Sequence, residues 1–133
     1  MIRCSLSYLG VALLAVACTK DAAKPVPAFE GRWNGVNAAT VYYTAVGGQM
    51  TRQSVSPMTS MYLVVTQDSL LFYGTQPNGL ALVNRAYTRQ GNVLTTDKTS
   101  IFIKELSDDR LVVRFPGFST NIPYYEWEDS YSR

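Results

Sequence analysis

Between Phe29 and Tyr131 the apolar stretches are short, and most of the polar breaks that punctuate them are shorter still. Gly47-Gly48, Asp68-Ser69, Gln76-Pro77-Asn78-Gly79, Gln90-Gly91-Asn92 and Ser107-Asp108-Asp109 interrupt a chain otherwise rich in Val, Ile, Leu, Thr, Tyr and Phe. Such breaks close hairpins, through residues that accept positive φ or complete a turn with their own side chain. None is long enough to hold a crossover helix, so successive strands must run antiparallel. The stretches between them alternate with period two: TVYYTAV (40–46), SMYLVVTQ (60–67), SLLFYG (69–74), LALVNRAYTR (80–89), NVLTT (92–96), TSIFIKEL (99–106), RLVVRFPG (110–117) and PYYEWEDSY (123–131). Eight or nine short strands in sequence order predict an all-β fold. Two closures fit: a small antiparallel up-and-down barrel of about eight strands, or a two-sheet β-sandwich. The barrel is favoured because closure removes the edges that a meander would expose.

The first 28 residues are of another kind. Arg3 precedes an apolar run from Leu9 to Ala17, with small residues at its end. That is the pattern of a secretory signal, and the run is less than half of the roughly 20 residues that a membrane-spanning helix needs. Leu14-Ala15-Val16-Ala17-Cys18 resembles the lipobox of bacterial lipoproteins, with Ala15 where leucine is commoner. The resemblance implies cleavage after residue 17 and a diacylglyceryl thioether on Cys18. It also implies a membrane partner through that anchor, in a bacterial cell envelope. Thr19 in place of an aspartate implies the outer membrane in that family. Residues 18–28 then form a tether, with Pro25 and Pro27 favouring extended backbone. The organisation predicted is a signal segment (1–17), a lipidated tether (18–28) and one β domain (29–133).

Charge and cysteine usage exclude several classes. Twelve Lys+Arg against ten Asp+Glu give a net charge of +2, and loss of Arg3 with residues 1–17 leaves +1. The basic residues are scattered, so no nucleic-acid footprint is present. Cys4 and Cys18 are the two cysteines, and nothing in the body can pair with them, so no disulfide framework staples the fold. The chain has no histidine, which removes Ser-His-Asp and Cys-His catalysis and the usual zinc donors. Glu126 and Glu128 stand two apart on one strand and could do acid–base work, but they read better as a solvated outer face opposite Tyr125 and Trp127. Asp108-Asp109 reads as a polar turn rather than a metal loop. No catalytic, cofactor or metal site is predicted, and the chain does not read as an enzyme.

Four motifs, in order, resemble those of lipocalins and the bacterial lipocalin-like domains. Phe29-Glu30-Gly31-Arg32-Trp33 is similar to the G-x-W opening, and Tyr87 to Thr95 to a later hairpin. Leu106 to Val113 is similar to a turn and late strand, and Tyr124-Tyr125-Glu126-Trp127 to the closing aromatic strand. The helix and disulfides of classical members are not seen. The resemblance implies a barrel plugged at one end by Gly31 and Trp33, with Arg114 as the basic residue packed over the indole. It also implies an interior that is either filled or open to one small apolar ligand. Tyr42, Tyr62, Phe72, Arg85, Tyr87 and Phe102 are the candidate ligand-lining residues, with Arg85 orienting the ligand if it points inward. Several strands are apolar on both faces, so parity alone leaves the inward face open. Two functions follow: a non-catalytic binding module, or an envelope interaction protein with a filled core, whose nine tyrosines would suit a docking surface.

Overall fold

The computed structural model describes residues 25–74, 80–117 and 124–133. The signal segment, Cys18, the first part of the tether and the turn expected at 76–79 lie outside the described residues. The described chain contains nine strands and no helix: β1 (Gly31–Tyr43), β2 (Met50–Pro57), β3 (Tyr62–Val65), β4 (Ser69–Tyr73), β5 (Val83–Gln90), β6 (Val93–Thr96), β7 (Ser100–Leu106), β8 (Arg110–Phe115) and β9 (Tyr124–Ser132). Every pairing is antiparallel. From β3 to β9 each strand pairs with the next, and β1 joins β3 on one side and β9 on the other. The ring is therefore closed. The fold is an eight-stranded antiparallel barrel of lipocalin-like form, not a sandwich, with β2 as an additional strand.

Closure depends on β1, which is longer than any other strand. Its first residues pair with β3, Gly31 to Asn34 against Val65 to Tyr62. Its last seven pair with β2, while Asn34 to Tyr43 run along β9. β2 and β3 thus lie end to end as one broken strand, separated by 58–61. At the break the Gly35 N–H donates to the Met61 carbonyl at 2.7 Å and the Met58 N–H to the Val36 carbonyl at 3.0 Å. Met58 is carried into the core. A Cβ on Gly35 would lie 2.9 Å from the Met61 oxygen, so only glycine lets the two segments approach this closely.

The sequence pattern predicts a first strand from residue 40 and none over 50–57, whereas β1 begins at Gly31 and 50–57 forms β2. MTRQSVSP has no period-two pattern because every residue of β2 is exposed. It is held extended by hydrogen bonds to β1 and buries no face, so the signal that marks a strand in sequence is missing.

Six side chains are sealed almost completely: Trp33, Leu63, Leu70, Leu94, Ile101 and Leu111. They come one each from β1, β3, β4, β6, β7 and β8, so the core is a layer to which most of the ring contributes. Fully burying an aliphatic side chain of this size stabilises by about 1.5–3 kcal/mol.

The end of the barrel near Trp33 is shut. The indole N–H donates to the Phe29 carbonyl at 2.9 Å. Phe29 meets Tyr87 edge-on at 6.1 Å, and the Tyr87 hydroxyl donates to the Thr66 carbonyl at 2.8 Å. The basic residue over the indole is Arg133, its guanidinium carbon 3.8 Å from the ring centroid, and it also donates to the Glu30 carbonyl at 2.6 Å. Arg114, expected there, is on the outside of β8. β8 turns Leu111 and Val113 inward, and the alternation sends Arg114 out to Glu126 and Glu128. Gly31 sits beside this plug with φ +120°, and a Cβ there would lie 3.3 Å from the Arg133 guanidinium. Glycine is required at that position on both counts.

Candidate functional site: the open end of the barrel

β9 decides what faces the upper interior. Its inward face, set by buried Tyr131 in the core, carries Tyr125, Trp127 and Asp129, and its outward face carries Tyr124, Glu126, Glu128 and Ser130. The cross-strand partners agree: Asp129 lies opposite Val113 and Ala38, both of which contact the core, and Trp127 lies opposite Phe115. Above the sealed layer these residues border a cavity of about 310 Å³, lined by Arg85, Thr99, Phe115, Trp127 and Asp129. Aromatic packing builds one wall, with Trp127 edge-on to Tyr125 at 5.1 Å and Tyr42 at 6.0 Å from Tyr125. Phe72 extends the apolar lining through Phe115 at 6.4 Å.

Two charged groups enter this apolar space. Arg85 on β5 points inward because it is paired with Leu70, a fully buried residue. Asp129 accepts one hydrogen bond, from the Tyr131 hydroxyl at 3.3 Å. Burial pushes its carboxyl up to about 6, against which the Tyr131 hydrogen bond pulls only partly. The Tyr131 phenol is raised in turn, by burial first and then by the nearby Asp129 charge. Among the described residues Arg85 forms no hydrogen bond or ion pair, and it is not within salt-bridge distance of Asp129. An acid and a base thus border one cavity without neutralising each other.

The six candidate lining residues divide. Arg85 borders the cavity, and Phe72 and Tyr42 belong to its aromatic surround. Tyr87 points inward but is committed to the closed end. A hollow of about 410 Å³ lies there beside Phe29 and Tyr87, but the Tyr87 hydroxyl is already used on Thr66. Tyr62 and Phe102 are outside, against expectation. Leu63 takes the inward position on β3, and Tyr62 instead stacks on Tyr73 at 4.5 Å, capped by Arg32 at 3.9 Å. Phe102 lies between buried Ile101 and Ile103 and is 43% exposed.

Sequence reasoning missed Thr99, Phe115, Trp127 and Asp129. A signal existed for two of them. Assigning the Glu126/Glu128 face of β9 to solvent places Trp127 and Asp129 together inside, and an acid in register with three aromatic residues is the anomaly to follow.

The acid pair itself is tied up on the outer face. Arg114 reaches Glu126 at 3.2 Å and Glu128 at 3.0 Å, and Lys104 reaches Glu128 at 2.6 Å. Burial raises the Glu128 carboxyl, but hydrogen bonds and charge from Lys104 and Arg114 together outweigh it and hold the group below its ordinary 4.5. Among the described residues no cluster of three or more potential metal ligands occurs.

Fold and site together define a small β-barrel stoppered at one end by a tryptophan and open at the other into a charged, aromatic-lined cavity. Comparison of the chain with protein-family models, with curated proteins and with solved structures gives no match in any of the three.

Proposed function

We propose that this protein is a bacterial envelope lipoprotein of the lipocalin-like kind, anchored through Cys18, whose barrel binds a small, largely apolar molecule at its open end. The observation that carries the reading is the 310 Å³ cavity between Arg85 and Asp129. Ligand sites begin near 300 Å³, and they pair apolar walls with a few placed polar groups. A filled barrel would put aliphatic side chains at these positions, since a carboxylate partly withdrawn from water with one hydrogen bond costs stability. Native mass spectrometry of the purified protein tests the reading, with a bound small molecule as the expected result. A bare protein that also takes up no apolar probe in titration counts against it. The anchor is tested separately: radiolabelled palmitate is incorporated by the wild type and not by Cys18→Ala.

A second reading rests on the outside of the barrel. The Tyr62–Tyr73 stack, half-buried on the outer face with exposed Arg32 over it, is an aromatic surface of the kind enriched in interfaces. On this reading the protein is an interaction lipoprotein. In-cell crosslinking from position 73 to one envelope protein, with no ligand in the barrel, would favour it.

A further inference from the structure

We propose that the cavity is built for a small zwitterion whose two charges are separated by an apolar body, an anionic group on Arg85 and an ammonium on Asp129. The inference rests on the reading of the cavity as a ligand site and adds the chemistry of the occupant.

The first argument is position. In the ring β1-β3-β4-β5-β6-β7-β8-β9, β5 and β9 are four places apart out of eight, which puts them on opposite walls. Arg85 and Asp129 therefore face each other across the lumen. A molecule lying between them meets a cation on one side and an anion on the other.

The second argument is satisfaction. Charges withdrawn from water are usually paired, because desolvation carries a cost, and Arg85 and Asp129 are both half-buried. Arg85 has no partner among the described residues, and Asp129 has one hydroxyl. The two are not within salt-bridge distance of each other, so neither is paired with the other across the cavity. A carboxylate-only ligand would pair Arg85 and leave the half-buried Asp129 without a cation. An amine-only ligand would do the reverse. A ligand with both charges, held apart, relieves both.

The third argument is the lining. Phe115 and Trp127 flank Asp129, and aromatic faces favour both an apolar chain and an adjacent ammonium. Thr99 is the remaining lining residue and adds no charge.

Proton linkage gives a sign. The charged or titratable groups facing the Asp129 carboxyl are the Tyr131 hydroxyl and, across the lumen, Arg85; its strand neighbours Val113 and Ala38 carry none. With the empty-site carboxyl near 6, an ammonium that binds only its ionised form binds more tightly as pH rises through that value. Affinity should be about tenfold weaker at pH 5 than on the plateau near pH 7.5, because only about a tenth of the carboxyls are ionised at the lower value.

The test uses the full chain in phosphatidylcholine nanodiscs, with lipid-only discs as the blank, and isothermal titration with four six-carbon compounds. These are 6-aminohexanoate, hexanoate, hexylamine and 1-hexanol. The expected result is that 6-aminohexanoate binds at least tenfold more tightly than the other three. Arg85→Met should reduce it to the level of hexylamine, and Asp129→Asn to the level of hexanoate with the pH dependence gone. If hexanoate or hexylamine binds as tightly as the zwitterion, or affinity does not change between pH 5 and 7.5, this inference is overturned while the apolar-ligand reading stands. If none of the four binds, both are overturned. Should either variant fail to fold, the four-compound comparison and the pH profile of the wild type still decide.

Discussion

Asp129→Asn should make this protein more stable, and the gain should depend on pH. The carboxyl is carried from 3.8 to about 6 by burial in the barrel. At about 1.4 kcal/mol for each tenfold change in proton affinity, the rise corresponds to about 3 kcal/mol between folded and unfolded states. Its sign is opposite to that of an ion-paired aspartate. Below 3.8 both states hold the proton and there is no cost. Between 3.8 and about 6 the unfolded chain ionises while the folded one does not, so stability falls as pH rises. Above about 6 both are ionised and the full cost of the buried charge is present. Asparagine is similar in shape and can still accept from the Tyr131 hydroxyl, but it never ionises. Denaturant unfolding of both proteins, followed by tryptophan fluorescence from pH 3.5 to 8, measures the difference. Groups common to both cancel, which isolates position 129. The variant should exceed the wild type by about 2–3 kcal/mol at pH 7.5, with the gap closing towards pH 4. A gap that is absent, or the same at every pH, would show that this carboxyl is not confined in the barrel, and the site described above would fall with it. A group that costs stability at neutral pH is the pattern expected where function has been placed above folding.

Other consequences follow from the plug, the core and the outer ion pairs. Arg133→Met removes the cation over Trp33 and the bond to the Glu30 carbonyl; unfolding in guanidinium should show a loss of about 1–2 kcal/mol. Leu111→Ala opens a void in the sealed layer, where the side chain is fully buried, and should cost about 2–5 kcal/mol in the same assay. Val55→Lys on fully exposed β2 should change stability by less than about 0.5 kcal/mol, since β2 contributes hydrogen bonds rather than buried area. Glu128→Gln separates Lys104 and Arg114 from their shared partner and should cost about 1 kcal/mol at pH 7. Because that carboxyl lies below its ordinary 4.5, its contribution is present above 4.5 and is lost as pH falls through the lower, folded value. The variant's deficit should therefore shrink in strong acid, and a deficit that grows there would refute the assignment.

The two ends of the barrel show how far the chain could be read without its structure. The turns at Asp68-Ser69, Gln90-Gly91-Asn92 and Ser107 to Asp109 lie at the junctions of the strands they are expected to join, with Ser69 and Gln90 already in β4 and β5, whereas Gly47-Gly48 leads into β2, which no sequence pattern marks. Trp33 was readable as a stopper. Its cation was not, because Arg133 is a hundred residues away and no local pattern ties the two positions. The same holds for the cavity: Arg85 is a candidate in sequence only on condition that it faces inward, and Asp129 stands out only once the Glu126/Glu128 face is assigned to solvent.

Sequence alone settled whatever depends on neighbours a few residues apart. Tight polar breaks dictated hairpins, hairpins dictated antiparallel order, and the unpaired edges of a meander favoured a barrel over a sandwich without deciding between them. What it left undecided was a choice of side. Period two states that alternate residues face opposite ways but not which set is enclosed, and strands apolar on both faces offer no tie-breaker. Only the pairing of β1 with both β3 and β9 wraps the sheet and makes one face an inside. That closure puts Tyr62 and Phe102 on the outer face, and brings Arg85 and Asp129, 44 positions apart, to opposite walls of one cavity.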